Sequence, residues 1–477
     1  MTTKKKLELL MPAGDFEKLK FAYAYGADAT YVGVPMFSLR ARTNAFTMET
    51  IKEAVEYAHN LGKKIYFTAN IYAHNMKIKP FLAHFRKMVE MKPDAFIMAD
   101  PGLIHLVRKE FPDVEIHLSV QANNTNWAQA EFWATLGIKR IILSREISLR
   151  EMKEIHEHVP EMEFEAFVHW AICMAYSGRC LISNYLSNRD PNQGTCSHSC
   201  RWEYKMFKDE RSEAEAETVT GRPEDYQDLD GTFYLEEKER PGELMEYDED
   251  EYGTYLMNSR DLCAIDYLEE LTDAGIISFK VEWRNKTVNY IASVGLAYRE
   301  ALNAVEKWEK YDSMKLSWEL FWIANRGYIP GFLAGNPNSN AQFYERNWSY
   351  GTKAFLWILR DYDTENKMIR VEVKNKFEVW DSIELVSPSW IKELKIEKIY
   401  KSTLNHWTAK KTTTFTEYKY SFNINQVEEV NSAHWGWYEV WINMDEKPED
   451  FSLIRKELPI TIDTNKLGDF MKDKIKK

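Results

Sequence analysis

Short apolar and β-branched runs recur along the first 285 residues, separated by amphipathic stretches. The runs are Leu7–Met11, Ala29–Val34, Lys64–Asn70, Ala95–Asp100, Glu115–Asn123, Arg140–Glu146, Phe164–Cys173 and Ile277–Arg284. Between the first seven, apolar positions return at helical spacing, as in Asp15–Tyr25, Met48–Asn60, Lys79–Glu90 and Leu149–His158. Strands alternating with helices predict βαβ units and a parallel sheet. Eight such strands predict an α/β fold of the (β/α)8 TIM-barrel type. The first seven runs are roughly 20–35 residues apart, as one strand plus one helix requires, but the eighth comes more than 100 residues after the seventh. A long insertion, at about residues 174–275, is therefore expected after strand seven.

Beyond Arg284 a helical stretch is expected over Val288–Tyr311, which completes a barrel domain at residues 1–325. Residues 326–352, rich in Gly, Asn and Pro, read as a linker. From 353 the pattern changes to alternation, in 369–373, 382–386, 418–422 and 437–442. Residues 353–477 thus predict a small antiparallel β-domain, a barrel or a sandwich.

Composition narrows the class. Of 477 residues 44% are apolar and 29% charged, as in a globular protein with a sizeable core. No apolar run approaches the roughly 18 residues of a membrane span, and the apolar stretch near the N-terminus is too short for a signal peptide. Five cysteines, an odd and small number, argue against a disulfide scaffold. A cytoplasmic protein with reduced thiols and no membrane partner is expected. The net charge of −12 excludes a generally basic surface but leaves room for a local basic groove. Much of the acid lies between residues 209 and 251, which reads as a solvated loop or disordered insertion. In the C-terminal part Lys398, Lys401, Lys410 and Lys411 are interleaved with Tyr400, Trp407 and Tyr418. That mixture offers phosphate contacts and stacking surfaces, or simply a solvated sheet face.

Barrels of this type carry their chemistry at the C-terminal strand ends. Those ends hold Gly14, Asn70, Asp100, Gln121, Asn123, Arg145, His169, Glu282 and Arg284. Cys173 sits there too, and Cys180, Cys196 and Cys200 follow on the next loop with spacing C-x6-C-x15-C-x3-C. Four thiols on one loop segment favour a metal site over free thiols. A [4Fe–4S] cluster and a tetrahedral zinc both remain open on spacing alone. Cys263 stands apart and reads as a buried core thiol.

Residues 167–180 (FVHWAICMAYSGRC) and 189–204 (RDPNQGTCSHSCRWEY) closely resemble the collagenase-like peptidase family U32. Leu10–Gly14, Leu118–Asn123, Met257–Asp261, Lys280–Arg284 and Val373–Phe377 extend the likeness. The chain is most similar to the family's prephenate-dependent tRNA uridine hydroxylase branch. That resemblance implies conversion of the wobble uridine of tRNA to 5-hydroxyuridine, with a [4Fe–4S] cluster on Cys173, Cys180, Cys196 and Cys200. It also implies prephenate as cosubstrate. Sister branches hydroxylate an rRNA cytidine or a quinone precursor. Arg145, His169, Glu282 and Arg284 are the catalytic candidates, and Arg40, Arg42, Asn70, Gln121, Asn123 and Arg260 the substrate-binding ones. The arginines are chosen because guanidinium pairs carboxylates bidentately. A peptidase is the runner-up, for which Cys173 or Cys180 with His169 or His198 would form a Cys–His pair. No HExxH or GxSxG motif accompanies it. A non-catalytic role, with the barrel as scaffold, is the third class.

Trp170, Trp283 and Trp380 each stand where similar proteins carry Gly. Glycine is also scarce, 20 residues, and tryptophan abundant, 16. The pattern predicts a gene whose UGA codons mean glycine but were translated as tryptophan.

Overall fold

The computed structural model describes residues 6–38, 45–173, 175–177, 180–187, 191, 196, 199–201, 207–208, 227–228, 233–236, 244–247, 259–282, 286–323, 325–335, 337, 341, 351–402, 423, 426–434 and 439–458. Seven parallel strands follow one another: β1 (Glu8–Ala13), β2 (Ala29–Gly33), β3 (Lys64–Thr68), β4 (Ala95–Met98), β5 (Ile116–Leu118), β6 (Arg140–Ile142) and β7 (Glu163–Ala171). The eighth barrel strand, Ile276–Val281, pairs in parallel with both β7 and β1 and closes the ring. The fold is thus a closed (β/α)8 barrel, as the pattern predicts.

Helices α1 (Phe16–Ala24), α2 (Met48–Asn60), α3 (Asn75–Glu90), α4 (Pro101–Glu110), α5 (Trp127–Thr135) and α6 (Leu149–His158) fill the first six connections. Most begin on a side-chain cap, which satisfies the open N–H groups of the first turn. Asp15, Asn126 and Ser148 accept from the N3 amide, and Ser148 with Glu151 makes a full capping box. The long helix Val288–Lys307 starts on Thr287 and packs on α1. A Cβ on its Gly295 would come within 2.8 Å of the Tyr25 carbonyl oxygen, so glycine permits that contact.

Two expectations change. Residues 261–263 lie within the expected insertion, yet they form a buried strand antiparallel to β7. Residues 328–329, expected as linker, pair in parallel with that strand, and Tyr328 is fully buried. Buried Arg326 and Asp261 make an ion pair that ties the two together. The barrel domain therefore carries an extra edge layer built from both segments. The acidic stretch also contains backbone order, since Phe233–Glu236 pairs antiparallel with Leu244–Tyr247.

The C-terminal part is an eight-stranded antiparallel sheet centred on Lys353–Asp363, which pairs with Met368–Val373 and Leu453–Glu457. Trp357, Ile369, Val371, Leu385, Val440 and Ile454 form its core. The expected strand at 418–422 lies outside the described residues. The sheet is fastened to the barrel. Tyr25 Oη donates to the carbonyls of Val386 (2.9 Å) and Phe451 (3.1 Å), and Arg455 pairs with Glu319 and Glu384 at 2.6 Å each.

Seven described non-glycine residues have positive φ, and two are tryptophans. Trp308 (φ 61°) ends the helix Val288–Lys307 in the left-handed conformation and is 81% exposed. Trp380 has φ 72° and is 71% exposed. Both are conformations that glycine adopts freely, and so much exposure leaves little packing to offset the strain. This agrees with the glycine reading for Trp380 and adds Trp308 to it. Trp170 lies in β7 and Trp283 outside the described residues. Trp308→Gly and Trp380→Gly are each expected to stabilise the fold by about 1 kcal/mol. A lowered melting temperature, or UGG codons at these positions in the coding DNA, would contradict the glycine reading.

Candidate functional site

The barrel lumen is charged. Arg140, at the start of β6, pairs with Glu8 of β1 at 2.5 Å and with Glu163 and Glu165 of β7 at 2.8 and 3.5 Å. Glu165 also accepts from Lys280 of the eighth strand at 2.7 Å. Tyr66 Oη and Ser278 Oγ donate to Glu8. Burial alone would raise the Glu8 carboxyl, but Arg140, Tyr66 and Ser278 outweigh it and hold it below its ordinary value. Lys280 is shifted down by burial, against the opposing pull of Glu165. Above this layer lie Leu10, Tyr31, Ile97, Ile142 and Phe167, whose apolar bodies separate the floor from the mouth.

At the mouth, Arg145 follows β6. Its Cζ stands 4.0 Å over the Phe167 ring, a cation–π contact. Its Nη1 donates to the Ala171 carbonyl at 2.8 Å, and its Nη2 lies 3.0 Å from Glu282 Oε2. Asn70 Nδ2 donates to Gln121 Oε1 at 2.7 Å, and Tyr72 Oη to the Gln121 carbonyl. Asn123, at φ 55°, turns its amide onto Ser144 Oγ at 3.0 Å. The structure thus brings Arg145 and Glu282 together, and Asn70 with Gln121. Asp100 proves to be a cap: it accepts from Gly102, Leu103 and Ala73 amides. Gly14 accepts from the Ala45 amide.

His169 does not face the lumen. β7 carries an irregularity at Val168, so that Lys280 pairs with Phe167 but Val281 with His169. Paired residues in a parallel ladder share a face, and Val281 belongs to the outer core. The extra residue therefore turns His169 outward. There its ring is fully buried among Tyr290, Tyr298 and Tyr328. Burial, with Lys286 adding to it, lowers its pKa to about 3 and keeps the ring neutral. Cys263, also fully buried, lies 3.8 Å from Tyr298 Oη, as a core thiol should. Turned away from the lumen and enclosed by three tyrosines, His169 is not placed to meet a molecule at the barrel mouth, which corrects its catalytic assignment, and so low a pKa makes it a weak base for a Cys–His pair.

Arg260 sits beside the edge strand rather than on a barrel strand end. Its amide donates to the Ala341 carbonyl, and its guanidinium passes over Gly327 (φ 80°), where any side chain would overlap it. Arg40, Arg42, Arg284, Trp283 and His198 lie outside the described residues.

The cysteine loop leaves the end of β7. Cys173 and Cys196 are exposed, and Cys180 and Cys200 half-buried. Cys180 precedes helix α7 (Ile182–Ser187), which packs against the 3-10 turn Ser199–Arg201 that carries Cys200. Among the described residues no three His, Cys, Asp or Glu side chains stand close enough to hold a metal ion. As a donor set, however, four cysteines on one loop segment fit an iron–sulfur cluster, whereas Cys263 is buried in the core away from that loop. Sequence reasoning missed Glu146, whose Oε1 accepts from the Ser177 amide and hydroxyl at 2.7 and 2.9 Å.

Residues 14–343 match the family described as Peptidase family U32. The chain belongs to this family. It is 43% identical over 84% of its length to "tRNA hydroxylation protein P" of Haemophilus influenzae, covering 90% of that protein. It is 46% identical over 80% of its length to the protein of the same name from Escherichia coli, covering 86%. To "tRNA hydroxylation protein P1" of Bacillus subtilis it is 34% identical over 80%, covering 84%.

Part of the basic stripe in the C-terminal sheet has acidic neighbours. Lys398 and Lys401 face Glu429 and Glu428 of the neighbouring strand at 3.9 and 3.7 Å. Lys410, Lys411, Trp407 and Tyr418 lie outside the described residues. No helix among the described residues is long and apolar enough to cross a membrane.

His169 also generates a pH dependence. Its folded pKa, about 3, lies below the ordinary value of 6.5, so the unfolded chain takes the proton first. Its stabilising share is complete above about pH 6.5 and is lost as pH falls toward 3, by at most ~1.4 kcal/mol per pH unit. Urea midpoints measured between pH 7 and 5 should fall, and His169→Phe should flatten that slope. An unchanged slope in the variant would contradict the assignment.

Proposed function

We propose that this protein hydroxylates tRNA, converting the wobble uridine to 5-hydroxyuridine with prephenate as cosubstrate. The observation that carries the reading is the likeness, over four-fifths of the chain, to relatives named for tRNA hydroxylation. The geometry supports it at one point: a guanidinium–carboxylate pair at the barrel mouth, directly beside the cysteine loop.

Cys173, Cys180, Cys196 and Cys200 would hold a [4Fe–4S] cluster, which supplies electron-transfer or Lewis-acid chemistry when bound. Arg145 is the group for a prephenate carboxylate. Its Nε is buried without a protein acceptor, and its position over Phe167 keeps the guanidinium plane fixed. Glu282, at the end of the eighth strand, holds the same guanidinium and would yield part of it to the incoming carboxylate. Asn70 and Gln121 add neutral amides that can meet hydroxyl or carbonyl groups. The apolar layer around Phe167 and Tyr31 closes the lumen below and limits water from that side. Arg40, Arg42 and Arg284 are further carboxylate or phosphate candidates.

The test is nucleoside mass spectrometry of tRNA from a bacterial strain that lacks its own tRNA uridine hydroxylases and expresses this chain. Expression should restore 5-hydroxyuridine, and blocking prephenate synthesis should abolish it. Arg145→Ala should lower the product at least tenfold, as expected for loss of a charge-assisted contact worth about 1.5–3 kcal/mol. No modified uridine from a well-expressed wild-type protein would overturn the proposal.

A further inference from the structure

Consecutive residues at the end of β6 grip the chain on both sides of Cys173. Arg145 Nη1 holds the carbonyl of Ala171, two residues before the thiol. Glu146 Oε1 holds the amide and hydroxyl of Ser177, four residues after it. Ser177 is buried, although neighbouring Tyr176 is 62% exposed. A buried anchor within an exposed turn needs an explanation, and two hydrogen bonds to one carboxylate oxygen supply it. The cost is visible on the other oxygen: Glu146 Oε2 is buried and has no donor. Placing a carboxylate this way is unfavourable by itself, so the contact to Ser177 must offset it.

We propose that Glu146 is a positioning residue for the cysteine loop, and that with Arg145 it clamps the turn bearing Cys173 and leading to Cys180. The idea rests on the cluster reading above, but the clamp is testable without any metal. Through Arg145 the same clamp touches Glu282, so the loop and the barrel mouth share one guanidinium. The hydroxyl of Ser177 adds a second donor to the clamp, and glutamine in place of Glu146 would retain a carbonyl acceptor for both donors.

The experiment compares wild type, Glu146→Ala, Glu146→Gln and Ser177→Ala as metal-free, reduced proteins. Iodoacetamide labelling of each cysteine is followed by peptide mass spectrometry, with far-UV circular dichroism to confirm the fold. Glu146→Ala should label half-buried Cys180 about tenfold faster, with exposed Cys173 and Cys196 little changed, since freeing the turn raises its open population. Glu146→Gln should return most of the protection, and Ser177→Ala should lie between. Unchanged labelling in Glu146→Ala would overturn the clamp. The four proteins are then reconstituted with iron and sulfide. Glu146→Ala should give an altered visible and electron paramagnetic resonance signature and at most half the wild-type iron. A wild-type signature in that variant would overturn the positioning role. If wild type itself takes up no iron, the cluster reading fails, and the labelling result alone decides the clamp.

Discussion

The barrel depends on one buried charge balance. Arg140 stands among Glu8, Glu163 and Glu165, and Glu165 in turn holds Lys280. These residues come from β1, β6, β7 and the eighth strand, so the network crosses the seam where the ring closes. Buried charges are tolerated only when each is paired and hydrogen-bonded. Removing one partner would strand another in a low-dielectric lumen. The network therefore acts less as glue than as a check on register, since a one-residue slip of any of the four strands would turn its charge into the outer core.

The same strands carry the mouth. Phe167 lies two positions above Glu165 on β7, and Arg145 five beyond Arg140. Alternation puts Glu165 and Phe167 on the same face, while Arg145, beyond the end of β6, reaches the Phe167 ring from the rim. One irregularity changes what comes next. The extra residue at Val168 sends His169 outward into a tyrosine cage and sets the direction in which β7 delivers its end to the cysteine loop. The loop is then caught by Arg145 and Glu146. A positioned guanidinium and a held turn beside Cys173, at one rim, follow from how β6 and β7 end.

The eight barrel strands were legible in the order and spacing of apolar runs, because a closed parallel sheet needs buried strands at nearly even intervals. The C-terminal antiparallel sheet was legible from alternation. The rim arginine and carboxylate were legible because strand ends are short and the polar residue stands out. His169 was not, because a bulge leaves no mark in a pattern of period two. Nor was the edge layer of residues 261–263 and 328–329, whose pairing spans more than 60 residues and whose second strand follows Arg326 and Gly327, which read as linker. Glu146 was overlooked because its partner, Ser177, is fixed by tertiary contact alone. Lys398 and Lys401 read as a basic stripe because the glutamates facing them lie on a separate strand.

The proposed function rests on an iron–sulfur cluster held by the cysteine loop at this barrel mouth. Iron, acid-labile sulfide and zinc, measured per chain on protein purified without oxygen, test it most directly. The account predicts about four irons and four sulfides, lost when Cys173, Cys180, Cys196 or Cys200 is changed to Ser and retained when Cys263 is. One zinc per chain, or no metal at all, would contradict it.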